Sequence, residues 1–439
     1  VSSTETLSTK TFPLPTLSGG LLLTTWLLTL IFALGLLDAR LEATVFAWLY
    51  VLLEFRNLKP KQRKPISALL IGGIGFSALS LWHTGDIDLL ALGSEHLMLV
   101  MLLTSVNFIR LATRLYAGER NKGAKSFIAT LTGMHLFSSV ANFSSLLLVG
   151  DQIRRPAVAG QAEPTTPSQS SLSYILLSRG FALAIFWSPF LSMIPLVLHQ
   201  LPDVNMAAVY PWAIGIVVFA LLFTLLESRL RYGKELAEYQ GYPMKPTTLM
   251  LPAVLIGTLL VAHQLFPNTA MLVLVSIIAV TVPLLLMIAT QPLQESSKRV
   301  GNLVTNVLPN ARPEISLFLA AGFLAAAVKS TISAGLIPSP VEHTNALVAS
   351  LGIHQFAVVA IFGGLLAQAT TTPTLMAVAY MVGVSLSMSS SVFSGSNFIL
   401  QGQYGIRNRD VYRDNMPYSI VVLAFSTLLL FVMEANGVQ

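Results

Sequence analysis

Apolar stretches of membrane-crossing length recur along the whole chain, separated by short polar loops, and this pattern predicts a bundle of transmembrane helices. Thirteen segments stand out, at 19–37, 40–55, 65–84, 95–115, 126–149, 171–198, 208–226, 248–265, 269–290, 313–335, 345–367, 371–400 and 417–435. Most approach the ~20 residues needed to cross a ~30 Å hydrocarbon core as a helix. Residues 1–18 lack the basic-then-apolar order of a cleaved signal and are expected to form a polar tail.

The positions of the basic residues set the expected topology, because loops rich in Lys and Arg stay on the cytoplasmic side. Two such loops, at 55–64 (Arg56, Lys59, Lys61, Arg63, Lys64) and 110–125 (Arg110, Arg114, Arg120, Lys122, Lys125), are separated by two crossings and agree. A third, at 228–246 (Arg229, Arg231, Lys234, Lys245), follows three more apolar segments, which would place it outside if all three crossed. Parity returns if 126–149, with five Ser together with Gly133 and Asn142, enters and leaves on one face. The second half, from Lys298, Arg299 and Arg312 to Arg407, Arg409 and Arg413, requires the same of 345–367. The expected fold is therefore all-α and polytopic: eleven transmembrane helices and two re-entrant hairpins, N-terminus cytoplasmic and C-terminus outside, in a bacterial inner membrane.

An internal repeat organises these elements. Gly133-x-His135-x-Phe137-x-x-Val140-Ala141-x-Phe143-x-x-Leu146-Leu147 matches Gly352-x-His354-x-Phe356-x-x-Val359-Ala360-x-Phe362-x-x-Leu365-Leu366 at a constant offset of 219 residues. Glu95 and Glu314 pair at the same offset, and Gly180, Leu183, Ser188 and Phe190 pair with Gly383, Leu386, Ser391 and Phe393 at an offset of 203. The expected division is a first repeat over 19–227, a cytoplasmic linker at 228–247 and a second repeat over 248–439. The Glu95 and Glu314 helices run in opposite senses, and inverted repeats are a signature of secondary transporters.

Composition supports lipid as the main solvent. Of 439 residues, 54% are hydrophobic and 10% charged, with a mean hydropathy of +0.70, against about 25% charged residues in soluble domains. The absence of cysteine excludes disulfides, thiolate metal sites and Cys nucleophiles. The net charge of +6 sits in short loops, so it reads as a topology signal and not as a nucleic-acid surface. No phosphate-binding loop of the Gly-x-x-x-x-Gly-Lys-Ser/Thr type and no His-Glu-x-x-His motif occurs, which removes the sequence basis for an ATP-driven pump or a zinc enzyme.

Candidate chemistry lies where apolar segments are interrupted. Ser188-Pro189-Phe190 puts a proline inside 171–198, where it removes a backbone hydrogen bond and clashes with the preceding turn. Within 371–400, the run through Ser391, Ser394, Gly395, Ser396 and Asn397 is too polar for an unbroken lipid-facing helix. Unwound backbone at membrane depth is tolerated where it lines a cavity, its N–H groups able to hold an anion and its carbonyls a cation. The plain alternative is an ordinary kink with Ser bonded back to its own helix. The repeat mates His135 and His354 have two readings, a proton carrier or a neutral ring fixing hairpin shape. Arg179 either attracts an anionic group or snorkels to an interface, and Lys329 shares that ambiguity. Asn142 and Asn397 are the amide candidates. A rival class, a membrane enzyme or lipid carrier acting on an isoprenoid or glycan intermediate, has only Asp86, Asp88, Glu95 and His96 as an interfacial cluster.

Inverted repeats with a hairpin and then a broken helix in each half resemble the ion transporter superfamily, which includes divalent-anion/sodium symporters and arsenite-type permeases. The resemblance implies an elevator transporter, usually a homodimer, with hairpin tips and broken helices carrying the solute. It also implies a coupling ion, sodium or a proton, with no other cofactor and no metal. Carried onto this chain, the site comprises Ser139, Asn142 and Ser144 in the first hairpin, Ser188 and Pro189 in the first break, and Ser391, Ser394, Gly395 and Asn397 in the second. The Ser-Asn-Thr hairpin signature of the dicarboxylate branch is replaced by Ser139-Val-Ala-Asn142-Phe-Ser144, and the second hairpin, Ala357 to Gly363, is apolar. Specificity for sodium and dicarboxylates therefore does not carry over, and the expected substrate is a small anionic solute.

Overall fold

A computed structural model describes residues 14–118, 122–154, 167–201, 203–336, 370–392 and 394–438. The second expected hairpin, 345–367 with His354, lies outside the described residues, as does the 1–13 portion of the tail. The described chain is helical, with two isolated β-bridges and no strands. The helices are α1 (Leu14–Ala33), α2 (Arg40–Glu54), α3 (Pro60–Thr84), α4 (Leu89–Ser94), α5 (Leu97–Val106), α6 (Ala124–Ala141), α7 (Phe143–Arg154), α8 (Pro167–Leu183) and α9 (Met193–Gln200). They continue as α10 (Met206–Ala237), α11 (Met250–Leu265), α12 (Met271–Thr290), α13 (Leu293–Asn302), α14 (Arg312–Ser333), α15 (Pro373–Ser390), α16 (Gly395–Tyr404) and α17 (Asn408–Ala435).

Nine helical stretches among the described residues are long and apolar enough to cross a membrane, and the chain is a multi-pass membrane protein. Large apolar side chains such as Leu27, Leu222, Leu260 and Phe431 stand exposed on the outer helices. In water such surfaces would be a liability, whereas lipid solvates them. Buried hydroxyls inside the helices mostly return to the preceding turn, as Thr104 does to the Val100 carbonyl at 2.8 Å and Thr130 to the Ser126 carbonyl at 2.7 Å.

Several element bounds differ from the sequence expectation for local reasons. The first helix begins at Leu14, inside the expected tail. The 208–226 segment continues to Ala237, through the expected linker, because Glu227 and Arg231 pair one turn apart at 2.5 Å and extend the helix past its apolar part. The 95–115 segment is not one helix: α4 ends before Glu95, α5 restarts at Leu97, and a 3-10 turn over Asn107–Leu111 closes it.

Two helix groups pack side by side. The first joins α1–α5 with α12–α14, and its closest seam is α3 against α14, where the bare Gly73 admits the Phe323 ring. A Cβ there would collide with that ring, the small-residue device by which membrane helices approach closely. The second group joins α6–α10 with α15–α17, and α11 lies between the groups against α6 and α12. A separate apolar cluster forms their contact: Val140 and Phe190 of the second group pack with Leu102, Leu255, Leu274 and Ile278.

The basic loops lie beside one another. Gly118 N–H donates to the Pro243 carbonyl at 2.7 Å, and Lys245 N–H donates to the Tyr116 carbonyl at 2.9 Å, joining the loops that follow α5 and α10. Arg312 bonds the Asn57 carbonyl at 3.4 Å and pairs with Glu54 at 3.3 Å. Arg231 bonds the Arg413 carbonyl at 2.9 Å.

Candidate functional site

Three helix interruptions meet inside the second group. The first is at Asn142, which separates α6 from α7 with φ 48° and ψ −144°, the one non-glycine residue with positive φ among those described. The ψ lies outside the left-handed helical region that asparagine adopts readily, so the turn is held by local bonds, with Phe143 N–H donating to the Asn142 Oδ1 at 2.8 Å. Ser145 secures the other side, its N–H and hydroxyl both donating to the Asn142 carbonyl at 2.9 and 2.6 Å.

The second interruption lies between α8 and α9. A 3-10 turn over Ala184–Phe186 leads into the irregular stretch Trp187–Ser192. Pro189 has no N–H to offer a helical ladder, and the Ser188 hydroxyl instead accepts from Phe190 N–H at 3.2 Å. The same hydroxyl donates to the Ser139 carbonyl, tying this break to the end of α6.

The third interruption lies between α15 and α16. The Asn397 amide nitrogen donates to the carbonyls of Ser389 at 3.0 Å and Ser391 at 2.9 Å, and lies 3.3 Å from that of Met388. Ser394 and Ser396 hydroxyls also donate to the Met388 carbonyl, at 2.9 and 2.7 Å. The loose carbonyl end of α15 is thus capped by the residues that open α16, and Ser394 caps α16 by accepting from Asn397 N–H at 3.2 Å. The third break adjoins the first through Gly395, whose missing Cβ would sit 3.4 Å from the Phe143 ring. Phe143 also lies 5.0 Å, centroid to centroid, from Phe181 on α8. Ser385 on α15 donates to the Ala182 carbonyl at 2.9 Å, bringing the second and third breaks side by side.

His135 serves the second break. Its Nδ1 faces the Gly180 carbonyl at 3.3 Å, and its Nε2 faces the Trp187 indole N–H at 3.0 Å. An indole nitrogen only donates, so Nε2 must accept and Nδ1 must carry the proton, which assigns the ring as neutral from its bonding. The ring thereby joins α6 to α8 and to the break that follows it.

Arg179 is wholly enclosed and does not snorkel. Its Nε donates to Asn415 Oδ1 at 2.9 Å, Nη1 to Glu227 at 2.6 Å and Thr224 at 3.3 Å, and Nη2 to the Asp414 carbonyl at 2.6 Å. Its guanidinium lies 4.0 Å from the centre of the Tyr418 ring. Asp414 in turn accepts from Arg413 at 2.7 and 2.8 Å and from the Tyr232 hydroxyl at 2.9 Å. Internal acceptors surround Arg179, which leaves it no open side for an incoming anion. Lys329 likewise pairs with Glu95.

These placements sort the sequence candidates. Ser139, Asn142, Ser188, Pro189, Ser391, Ser394, Gly395 and Asn397 all lie at or beside the three breaks. Of them, Ser188, Ser394 and Asn397 are engaged in holding the backbone. Among the described residues the hydroxyl of Ser144, buried at the second position of α7, makes no hydrogen bond, and the amide nitrogen of Asn142 makes none either. Sequence reasoning missed Glu227, Asp414, Asn415 and Tyr174, the groups that hold Arg179 and connect it to Asn397. The Glu227–Arg231 spacing of one helical turn was the available signal. Among the described residues, no group of three or more His, Asp or Glu stands ready to hold a metal ion. No protein-family model matches the chain, and none of the curated proteins compared with it does.

Proposed function

We propose that the chain is a secondary transporter, moving a small anionic solute by alternating access, with the solute bound where the three interrupted helices meet. The observation that carries this reading is the meeting itself: backbone freed from helix geometry at Asn142, Trp187–Ser192 and Ser391–Ser394 is gathered in one place within a membrane bundle. Such backbone is costly in lipid and is retained where it lines a path for polar cargo. The half-helices α9 and α16, of 8 and 10 residues, are too short at 1.5 Å per residue to span ~30 Å. Their N-terminal ends meet the breaks and favour negative charge there. Neither break contains an Asp or Glu that would repel an anion. Among the described residues the Asn142 amide nitrogen and the Ser144 hydroxyl are unengaged donors, and the carbonyl end of α8 suits a coupling sodium ion.

The two-group architecture supports an elevator motion. All three interruptions belong to the group of α6–α10 and α15–α17, and its contact with α5, α11 and α12 is apolar around Val140 and Phe190, with the Gln200–His96 hydrogen bond as a polar link at one end. Apolar contacts carry no directional bonds that sliding must break. The contact between the loops following α5 and α10 supports an even number of crossings between them, hence a re-entrant α6–α7 hairpin and inverted halves. The homodimer and the cytoplasmic N-terminus complete the proposal.

The test is accumulation of labelled carboxylates, sulfate and phosphate in proteoliposomes under imposed sodium or proton gradients. Gradient-driven uptake of one of these by the wild type, with a raised KM in Ser144→Ala, is the expected result. A folded, oriented protein that accumulates none of them overturns the proposal and favours a lipid-linked substrate.

A further inference from the structure

A cleft of about 400 Å³ opens beside the 3-10 turn Asn107–Leu111, walled by α13 and by the π-helical turn Leu303–Val307. That volume falls within the ~300–1,000 Å³ range of small-ligand sites. Its lining carries three cations, Arg110, Lys298 and Arg299, against one carboxylate, Glu295, with Asn302 as a neutral donor. Neither Arg110 nor Lys298 makes an ion pair among the described residues. Glu314 stands within electrostatic reach of Arg110 but forms no contact pair with it. Arg299 pairs with Glu295 at 3.4 Å with both side chains about half exposed, at 43% and 50%, an arrangement worth little in water and readily exchanged for a stronger partner. Cations converging from separate elements, two of them with planar guanidinium forks, suit a group that presents several oxygens, as phosphate does.

The setting points to the source of that phosphate. The helix α13 is a short polar helix between two membrane spans, α12 and α14, and Arg110 ends a third span. The cleft therefore lies near the depth of the lipid headgroups, and the same helix carries Leu293, an apolar side chain 74% exposed. A π-helical turn, here lining the cleft, is itself uncommon and recurs at functional sites. We infer that this cleft is a headgroup site for an anionic phospholipid, its phosphate held by Arg110, Lys298 and Arg299. The site is independent of the helix breaks and of the transport reading.

The experiment uses the full chain in detergent and follows binding of a fluorescent phosphatidylglycerol, with unlabelled phosphatidylglycerol, phosphatidylcholine or inorganic phosphate as competitors. The expected result is displacement by phosphatidylglycerol alone. Removing two interfacial charges, in the double variant Lys298→Gln with Arg299→Gln, should weaken binding roughly thirtyfold. Glu295→Gln should bind more tightly than wild type, a gain that a misfolded protein does not produce. Unchanged affinity in the double variant, or displacement by phosphatidylcholine as effective as by phosphatidylglycerol, overturns the site. Equal displacement by inorganic phosphate overturns the lipid source and leaves a site for a free anion.

Discussion

Arg179 donates from Nε to the side-chain oxygen of Asn415 at 2.9 Å, and through that amide the buried ion pair with Glu227 reaches the break between α15 and α16. The nitrogen of the same amide donates to the Tyr174 hydroxyl at 3.0 Å and to the Ser389 carbonyl at 2.7 Å. Tyr174 then donates to Asn397 Oδ1 at 2.8 Å. A charge cluster on α8, α10 and α17 thereby fixes the shape of an interrupted helix through one continuous hydrogen-bonded path.

Replacing Arg179 by Met removes one partner of a buried pair and leaves Glu227 and Asn415 with lone pairs facing the interior. Glu227 keeps Arg231 on its other oxygen, so the expected loss is about 1–3 kcal/mol in unfolding free energy, the usual cost of leaving buried polar groups without a partner. Lysine at 179 should recover only part of it, since an ammonium cannot reproduce the fork that meets Asn415, Glu227 and Asp414 together. Chemical unfolding in detergent measures both variants. An Arg179→Met protein as stable as wild type refutes the structural role of the pair.

Asn397 and Ser144 should behave oppositely, although both read as polar residues beside helix breaks. Asn397→Ala removes one donor from each of the Ser389 and Ser391 carbonyls and the nearer acceptor of the Tyr174 hydroxyl, leaving Asn415, Ser394 N–H and the Ser389 carbonyl as their remaining partners. Each lost bond is worth about 0.5–1.5 kcal/mol, so a lowered unfolding midpoint is expected. The Ser144 hydroxyl makes no hydrogen bond among the described residues, so Ser144→Ala should leave the midpoint within about 0.5 kcal/mol of wild type. Equal destabilisation by the two substitutions contradicts the division between a capping residue and an available one.

The neutral His135 ring leads to a test of coupling. A proton on Nε2 would turn the acceptor of the Trp187 N–H into a second donor facing it. Trp187→Phe should therefore cost only about 0.5–1.5 kcal/mol of stability, one hydrogen bond, and leave the pH profile of uptake in place. A displaced pH profile in that variant assigns His135 to proton transfer instead.

Local chemistry made some of this architecture legible and distance hid the rest. Pro189 and the Ser391–Asn397 run interrupt their helices by properties of the residues themselves, so their sequence neighbourhood suffices to find them. The partners of Arg179 lie 48 and 235 residues away. Glu227 falls one residue beyond an apolar segment, where an acid reads as a loop charge, although the helix continues ten residues past it to Ala237. Asn397 shows the complementary error of emphasis. Its polarity marks a break, but only the geometry reveals that the amide caps α15.

A last expectation concerns the polar link between the two helix groups. His96, at the start of α5, faces the Phe318 carbonyl on α14 through Nδ1 at 3.0 Å and the Gln200 amide nitrogen at the end of α9 through Nε2 at 3.2 Å. The ring fits because residue 322 is glycine, where a Cβ would come within 2.7 Å of the ring carbon Cγ. Gly322→Ala must push the imidazole aside, and overpacking of this kind costs about 1–3 kcal/mol. Displacing the ring also lengthens its bond to Gln200, so Gln200→Leu and Gly322→Ala act on one contact. Their combined effect should fall short of the sum by at least about 0.5 kcal/mol, as for residues sharing a network. Strict additivity in unfolding measurements separates the two sites and removes His96 as the link between the groups.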